Sequence, residues 1–392
     1  MQNTDTDNTK SLTLIVRHIA TIIESRIISE DYASNQWLPT ERALAEEFRV
    51  SRPTIRQVLV ELEERRLVMR SAGSRPIVCP RSGKDARSTN GATHSESASK
   101  RISIGLWISG DPTDMGGAMT AQGIHEVLDA DVFRLVVANH AGETLNALIE
   151  SESEALRRFS SDRDIAGLIL WYFGDSENLN ALRTLRAANI PLVFVDRRPP
   201  ATFHADYVGV HSELAARTVV QHLLDLGHRR IAHITNSEPA SSVVERREGY
   251  RRALASRGIP FDPQLILTTK FMEHGSIQQT AAGIAEQIRT MPNRPTALFA
   301  VNDYTAQFLI AALRAVGLRV PEDISVAGFD DEERLKAGEP FLTTVRQPFQ
   351  TMGAEAAGLL LQRIAEGPTD TYCHTLLEAP LIMRGSTQSV TP

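Results

Sequence analysis

Cysteine is nearly missing from this chain of 392 residues: Cys79 and Cys373 are its only two. Two thiols so far apart make no disulfide framework and fit a reducing compartment. Long apolar runs are missing as well. No stretch approaches the roughly 18 apolar residues that a bilayer span needs. The opening MQNTDTDNTK is polar and acidic, the reverse of the basic start and apolar centre of a signal peptide. A cytoplasmic chain with no membrane partner is therefore expected. The 11 histidines are scattered, and there is no HExxH, no GxSxG, no Walker loop and no cluster of cysteine ligands. No catalytic role, metal or cofactor is expected. A net charge of -6 argues against coating nucleic acid along the whole surface, but leaves room for one small basic face. No short-period repeat is visible.

What is present is ordinary in bulk. Hydrophobic residues at 42% and charged residues at 23% suit a globular chain, and the length allows two or three domains with separate cores. The character changes at residues 80–100. PRSGKDARSTNGATHSESASK has almost nothing to bury and reads as a flexible linker. Residues 1–79 before it are dominated by helical patterns. Residues 101–392 alternate short apolar runs with amphipathic stretches. ISIGLWIS, FRLVVAN, AGLILWYF, PLVFVD, YVGV, RIAHIT, LILTT, ALFAV and SVAGFD read as buried strands. Helices separate most of them, including 145–159, 176–188, SELAARTVVQHLLDLG, VVERREGYRRALASRG, 275–290 and NDYTAQFLIAALRAVG. That alternation gives parallel sheets covered on both faces, and there are too many units for one small sheet. The expected fold class is α/β: an N-terminal winged helix-turn-helix, then two doubly wound lobes.

In the N-terminal part, Thr40 suits an N-cap, and Leu44 and Phe48 fall on one helical face. A short link through Arg49, Val50 and Ser51 leads to a second helix. Ser51 can cap it, Pro53 suits its first turn, and Ile55, Leu59 and Leu62 face inward. Two short helices joined tightly match a helix-turn-helix. Arg52, Thr54, Arg56 and Gln57 gather where a recognition helix meets the major groove. LVMRSAGSRPIVC then reads as two short strands around a turn near Gly73, a wing. The bland alternative is a helical pair with a solvated arginine face. Residues 10–80 carry 11 basic and 9 acidic side chains, so position, not bulk charge, favours DNA.

LPTERALAEEFRVSRPTIRQVLVELEERRLV resembles the signature of GntR-type winged-helix regulators, over roughly residues 11–79. The resemblance implies that Arg42, Arg52, Thr54 and Arg56 contact operator DNA, with Gly73 at the wing tip. Arg66 stands where that family usually has glycine, and the wing lacks the common run of basic residues and glycines.

In the two-lobed part, polar side chains recur at strand ends, where ligands of parallel sheets bind. Trp171 and Tyr172 end one strand, Asp196 and Arg197 follow another, Asn302 and Asp303 follow a third, and Asp330 ends SVAGFD. Taken singly, Asp303 reads as a helix cap and Trp171 equally as core. Repetition across strand ends favours a site, and such groups suit the paired hydroxyls of a polyol.

From VFVDRRPP through ERREGYRRAL and ISVAGFDD to LIMRGST, the chain resembles the LacI-type periplasmic-binding-protein-like sensor, over about residues 101–388. That likeness is weaker between residues 110 and 165. It implies effector contacts at Asp196, Arg197, Arg246, Asn302, Asp330 and Gln347, with Trp171, Tyr172 and Asp111 in regions of poorer match. Arg246 is carried by its place three residues before Gly249-Tyr250. Lobe crossings are expected near residues 211, 345 and 371. The N lobe would hold about 101–211 and 345–371, and the C lobe about 212–344 and 372–388. The union of the two modules resembles arabinose-responsive repressors. A homodimeric, ligand-gated repressor of carbohydrate-utilisation genes is implied, with double-stranded operator DNA and a small sugar as partners. Rival readings are a sugar-uptake binding component, a regulator answering to a non-sugar metabolite, and an enzyme fused to a DNA-binding head.

Overall fold

The computed structural model describes residues 16, 19–20, 23, 26–27, 32, 36–48, 50–65, 67–69, 75–78, 101–108, 115–139, 144–174, 176–236, 240–269, 276–332 and 340–390. Cys79, Gly73, Asp111 and the stretch 80–100 lie outside them. The chain forms two compact units. The first takes in residues 1–102 with 129–134 and 358–369; the second holds 103–128, 135–357 and 370–392.

In the first unit, α1 (Glu41–Glu47) starts where the Thr40 hydroxyl accepts the Ala43 N–H at 3.1 Å. Helix α2 (Arg52–Glu64) starts likewise at Ser51, whose hydroxyl accepts the Thr54 N–H at 3.3 Å. Both expected caps are made, each satisfying a donor that a helix start leaves open. Leu44, Ile55, Leu59 and Leu62 are fully buried together with Ile23, Leu38, Val58 and Val78. The wing strands β1 (Val68–Met69) and β2 (Ile77–Val78) pair antiparallel, Val68 opposite Val78, and Trp37 bridges to Ile77.

The remaining elements follow in chain order. They are β3 (Ile102–Ile108), α3 (Met115–Val127), β4 (Phe133–Asn139), α4 (Leu145–Ser161), β5 (Ile165–Leu170), α5 (Leu179–Ala187), β6 (Leu192–Val195) and β7 (Asp206–Val210). Then come α6 (Ser212–Asp225), β8 (Ile231–Asn236), α7 (Ser241–Ser256), β9 (Ile266–Thr269), α8 (Ser276–Thr290), β10 (Ala297–Ala300), α9 (Asp303–Ala315) and β11 (Ser325–Ala327). The chain ends with β12 (Thr344–Val345), α10 (Phe349–Glu366), β13 (His374–Leu377) and β14 (Leu381–Ile382).

Two sheets result. One is six-stranded, in the order β13-β7-β6-β5-β3-β4; the other is four-stranded, β11-β10-β8-β9. Pairing is parallel throughout the second sheet and from β13 to β3 in the first. Strands β3 and β6 are buried along nearly their whole length, which is why they read as continuous apolar runs and not as alternating ones. Each sheet reverses its winding once, between β3 and β5 and between β8 and β10. The doubly wound lobes are therefore as expected. One boundary differs. Strand β13, expected in the C lobe, pairs with β7 of the six-stranded sheet, His374 opposite Tyr207. The third crossing thus lies at residues 378–380, just before β14 pairs antiparallel with β12, and not near 371. The apolar pattern of HTLL is too short to tell which of two similar sheets it joins.

His233 on β8 shows how the C-lobe core handles a titratable group. Its ring stacks on Phe299 at 4.9 Å and Tyr250 at 5.4 Å, and Nδ1 donates to the Phe299 carbonyl at 2.9 Å. Among the described residues Nε2 is buried without a partner, so only the neutral ring fits. Burial holds the histidine down to about 4, below its ordinary 6.5. The unfolded chain takes up the proton first, so stability present above pH 6.5 is lost as pH falls toward 4. Urea unfolding midpoints should drop across that window, and His233→Gln should flatten the slope. An unchanged slope in the variant would assign the acid sensitivity elsewhere.

Candidate functional site

Ligands of doubly wound sheets bind beyond the carboxyl ends of the strands, where the winding reverses. In the six-stranded sheet that place is the end of β5, from which Trp171, Tyr172 and Phe173 emerge. The Trp171 ring stacks on Phe349, the first residue of α10, at 5.9 Å. Tyr172 instead turns its ring edge-on to Phe194 of β6, at 5.5 Å, and is buried. On the adjacent strand, Asp196 leaves β6 with φ at 62°, a left-handed conformation that a non-glycine residue adopts at a cost. Its N–H donates to the Val208 carbonyl at 2.9 Å, and its own carbonyl accepts the Tyr207 hydroxyl at 3.0 Å. The turn directs Arg197 back along the sheet end. Its guanidinium lies 3.8 Å from the Phe173 ring centroid and 6.0 Å from that of Trp171, with Nε 3.8 Å from the Asp196 carboxylate.

The C-lobe sheet reverses between β8 and β10, and Arg246 of α7 sits across that point. Its guanidinium donates to the Val301 carbonyl at 2.7 Å, lies 3.8 Å over the Phe329 ring, and reaches Asp330 Oδ1 at 3.4 Å. Gln347 Nε2 donates to the same Asp330 oxygen at 2.8 Å. Asp330 and Asp331 both have positive φ, 118° and 63°. The structure thus brings Arg246, Asp330 and Gln347 together, and Asp196 with Arg197.

The cap expected of Asp303 is made instead by its neighbour Asn302. Asn302 is the N-cap of α9, its Oδ1 accepting the Thr305 N–H at 3.0 Å. Asp303 is no cap: fully buried, it accepts the Thr344 hydroxyl at 2.6 Å and the Glu332 N–H at 3.0 Å. Burial, aided by the charge of Asp330, pushes its carboxyl well above the usual carboxylate range. It ties the strand-end loop to the lobe crossing.

Two contributors escaped sequence reasoning. Arg198 follows Arg197, and its Nε donates to Glu245 Oε1 of α7 at 2.6 Å while its N–H donates to the Ser241 hydroxyl at 2.8 Å. These contacts join the end of β6 in one lobe to α7 in the other. Asp331, whose carboxylate is fully enclosed, sits between Arg346 Nε and Arg384, each at 2.6 Å. The DRR and DD repeats were visible in the sequence, but nothing there named the partners.

In the N-terminal unit, Arg52, Arg56 and Gln57 are exposed along the start of α2. The Arg56 side chain is 62% exposed and pairs with Glu41 at 2.8 Å; that of Arg42 is 71% exposed and pairs with Glu46 at 3.1 Å. Exposed pairs of this kind contribute about 0–1 kcal/mol and yield readily to a phosphate. Thr54 differs. It is 6% exposed, and its hydroxyl meets that of Ser51 at 2.8 Å, serving the cap.

Comparison with known proteins assigns this geometry. The "Periplasmic binding protein-like domain" family matches residues 220–387, and "Bacterial regulatory proteins, gntR family" matches residues 15–78. The "Arabinose metabolism transcriptional repressor" of Geobacillus stearothermophilus is 29% identical over 94% of this chain and 96% of its own. The "HTH-type transcriptional repressor PurR" of Vibrio atlanticus is 31% identical over 67% of this chain and 75% of its own. The chain belongs to this superfamily of LacI/GntR-related transcriptional regulators. A ribose-bound LacI family regulator from Enterococcus faecium superposes with a TM-score of 0.61 at 28% identity, over 74% of this chain and 100% of its own. The regulator is a sequence-specific DNA-binding transcriptional repressor. No helix among its described residues is long and apolar enough to cross a membrane.

The regulator's Arg246 depends on a glycine. Gly249 packs α7 on α6 so tightly that an added Cβ would lie 2.3 Å from the Glu213 carbonyl. Gly249→Ala is expected to destabilise the fold by roughly 1–3 kcal/mol through overpacking, read as a lower urea midpoint. A wild-type midpoint would show that the two helices are free to part.

Proposed function

We propose that the regulator is a ligand-gated repressor of carbohydrate-utilisation genes, built from a GntR-type head and a LacI-type sensor. A small uncharged sugar is its effector. It acts as a homodimer on a two-fold operator, because helix-turn-helix dimers read half-sites about 34–36 Å apart. Arg42, Arg52, Arg56 and Gln57 carry the DNA contacts, and Asp196, Arg197, Arg246, Asn302, Asp330 and Gln347, with Trp171, carry the effector contacts.

The observation that carries the sugar reading is a set of polar atoms at the strand ends. Trp171 Nε1, Arg246 Nε and Gln347 Oε1 are buried and make no hydrogen bond among the described residues. Such atoms are costly unless something else satisfies them. Donors and an acceptor beside aromatic rings suit a polyol, whose hydroxyls give and take and whose C–H face stacks. Charge supports an uncharged ligand: Arg246 faces Asp330, Arg197 faces Asp196 and Arg198 pairs with Glu245. The relatives point the same way, one named for arabinose metabolism and one structure holding ribose.

Gating follows from differential affinity. A sugar that bridges the ends of β6 and β10 stabilises the closed lobe arrangement, and operator affinity changes by the same factor as sugar affinity does on DNA.

Two measurements test the proposal. Across arabinose, ribose and cellobiose, at least one is expected to raise the melting temperature of the full chain, by the mass-action term for a ligand well above its Kd. Stabilisation by a nucleobase and by none of the sugars would overturn the effector class. On a cognate operator fragment, Arg52→Gln and Arg56→Gln should each weaken binding and lower the slope of log K against log salt by about 1. Unchanged slopes would remove these arginines from the DNA face.

A further inference from the structure

One carboxylate is sealed inside the N lobe. Glu152, on the inner face of α4, exposes no surface. Its Oε1 accepts the Phe173 N–H at 2.7 Å; its Oε2 accepts the Gly174 N–H at 2.7 Å and Asn178 Nδ2–H at 2.8 Å. Asn178 gives its other amide hydrogen to the Ile149 carbonyl at 3.0 Å, so its oxygen is turned away from Glu152. All three neighbours are donors, so an acceptor-only group is required between them. Gly174 shares the constraint, since a Cβ there would fall 2.5 Å from Glu152 Oε2.

The other buried residues of α4 are Leu148, Ala155, Leu156 and Phe159, an apolar stripe that packs well without a charge. Enclosing a carboxylate among them costs desolvation. That cost is visible: burial pushes the carboxyl up to about 7, against the pull of its three hydrogen bonds and of the Arg197 charge. The segment so held is the turn leaving β5, where the six-stranded sheet reverses. The Phe173 ring within that turn is the surface against which the Arg197 guanidinium lies, at 3.8 Å.

We infer that Glu152 is a positioning residue of the effector site: it fixes the backbone of Phe173 and Gly174, and through the Phe173 ring it fixes Arg197. The inference rests on the proposed role of Arg197 as an effector contact. Helix α4 thereby has a part in sugar affinity although Glu152 itself touches no sugar.

Glu152→Gln in the full chain is the test. Glutamine keeps the size but sets an N–H against at least one of the three donors. Without any ligand, hydrogen exchange at the Phe173 and Gly174 amides is expected to quicken about tenfold, with β8 and β10 unchanged as the folding control. Calorimetric titration with arabinose, or with ribose or cellobiose if arabinose does not bind, is expected to show Kd raised about tenfold. That rise should shrink when Arg197→Lys is already present. Phe173→Leu, which leaves the carboxylate clamp intact, should raise Kd without altering exchange at Gly174. Unchanged exchange in Glu152→Gln, or a loss of affinity that adds in full to that of Arg197→Lys, would overturn the inference. If the unsubstituted chain binds none of the three sugars, the sugar reading falls, and exchange alone decides the clamp.

Discussion

A parallel sheet aims all its strand carboxyl ends at one edge, and where the winding reverses no helix covers them. The sensor's chemistry depends on that constraint. Trp171, Asp196, Arg246 and Asn302 come from separate stretches of chain, yet each stands at or across such an end. Backbone strain is stored in the same places. The positive φ values at Asp196 and at the consecutive pair Asp330 and Asp331 mark two tight turns at strand ends.

Charge burial is the second thread. Arg246 with Asp330 and Asp331 with Arg384 are buried charge pairs, Arg198 with Glu245 is half-buried, and Arg346 reaches Asp331 from a more exposed position. Such pairs add little net stability but are costly to break singly, so they favour discrete arrangements over gradual ones. The partners come from different segments: Arg198 and Glu245 from opposite lobes, Asp331 and Arg384 from either side of the crossings. In the proposed gating, movement of one lobe against the other would exchange such partners.

Much of this was legible before any coordinates. The helix caps at Thr40 and Ser51 are local chemistry, decided within four residues, and they form as read. The buried strands were visible because both sheet faces are covered, which writes continuous apolar runs into the sequence. Arg246, Asp330 and Gln347 were singled out by the family resemblance, Asp330 also by its place at a strand end, and they do meet. What failed was mostly of one kind. The segment that forms β13 was assigned to the wrong lobe, the cap was expected at Asp303 and is made by Asn302, and Arg198, Asp331 and Glu152 were passed over. Apart from the Asn302 cap, whose partner Thr305 is three residues on, the deciding partner lies far along the chain, 41 residues for Asp303 and Thr344 and 47 for Arg198 and Glu245.

The sequence by itself determined the parts: two modules, their element types, and a set of polar residues at strand ends. Periodicity and capping act over a few residues, and a linear reading captures them. Only the tertiary structure decided which sheet a short strand joins, which carboxylate faces which guanidinium, and that a glutamate on a covering helix holds the turn beneath Arg197. Those outcomes depend on distances between segments remote in the chain, and no local pattern encodes them.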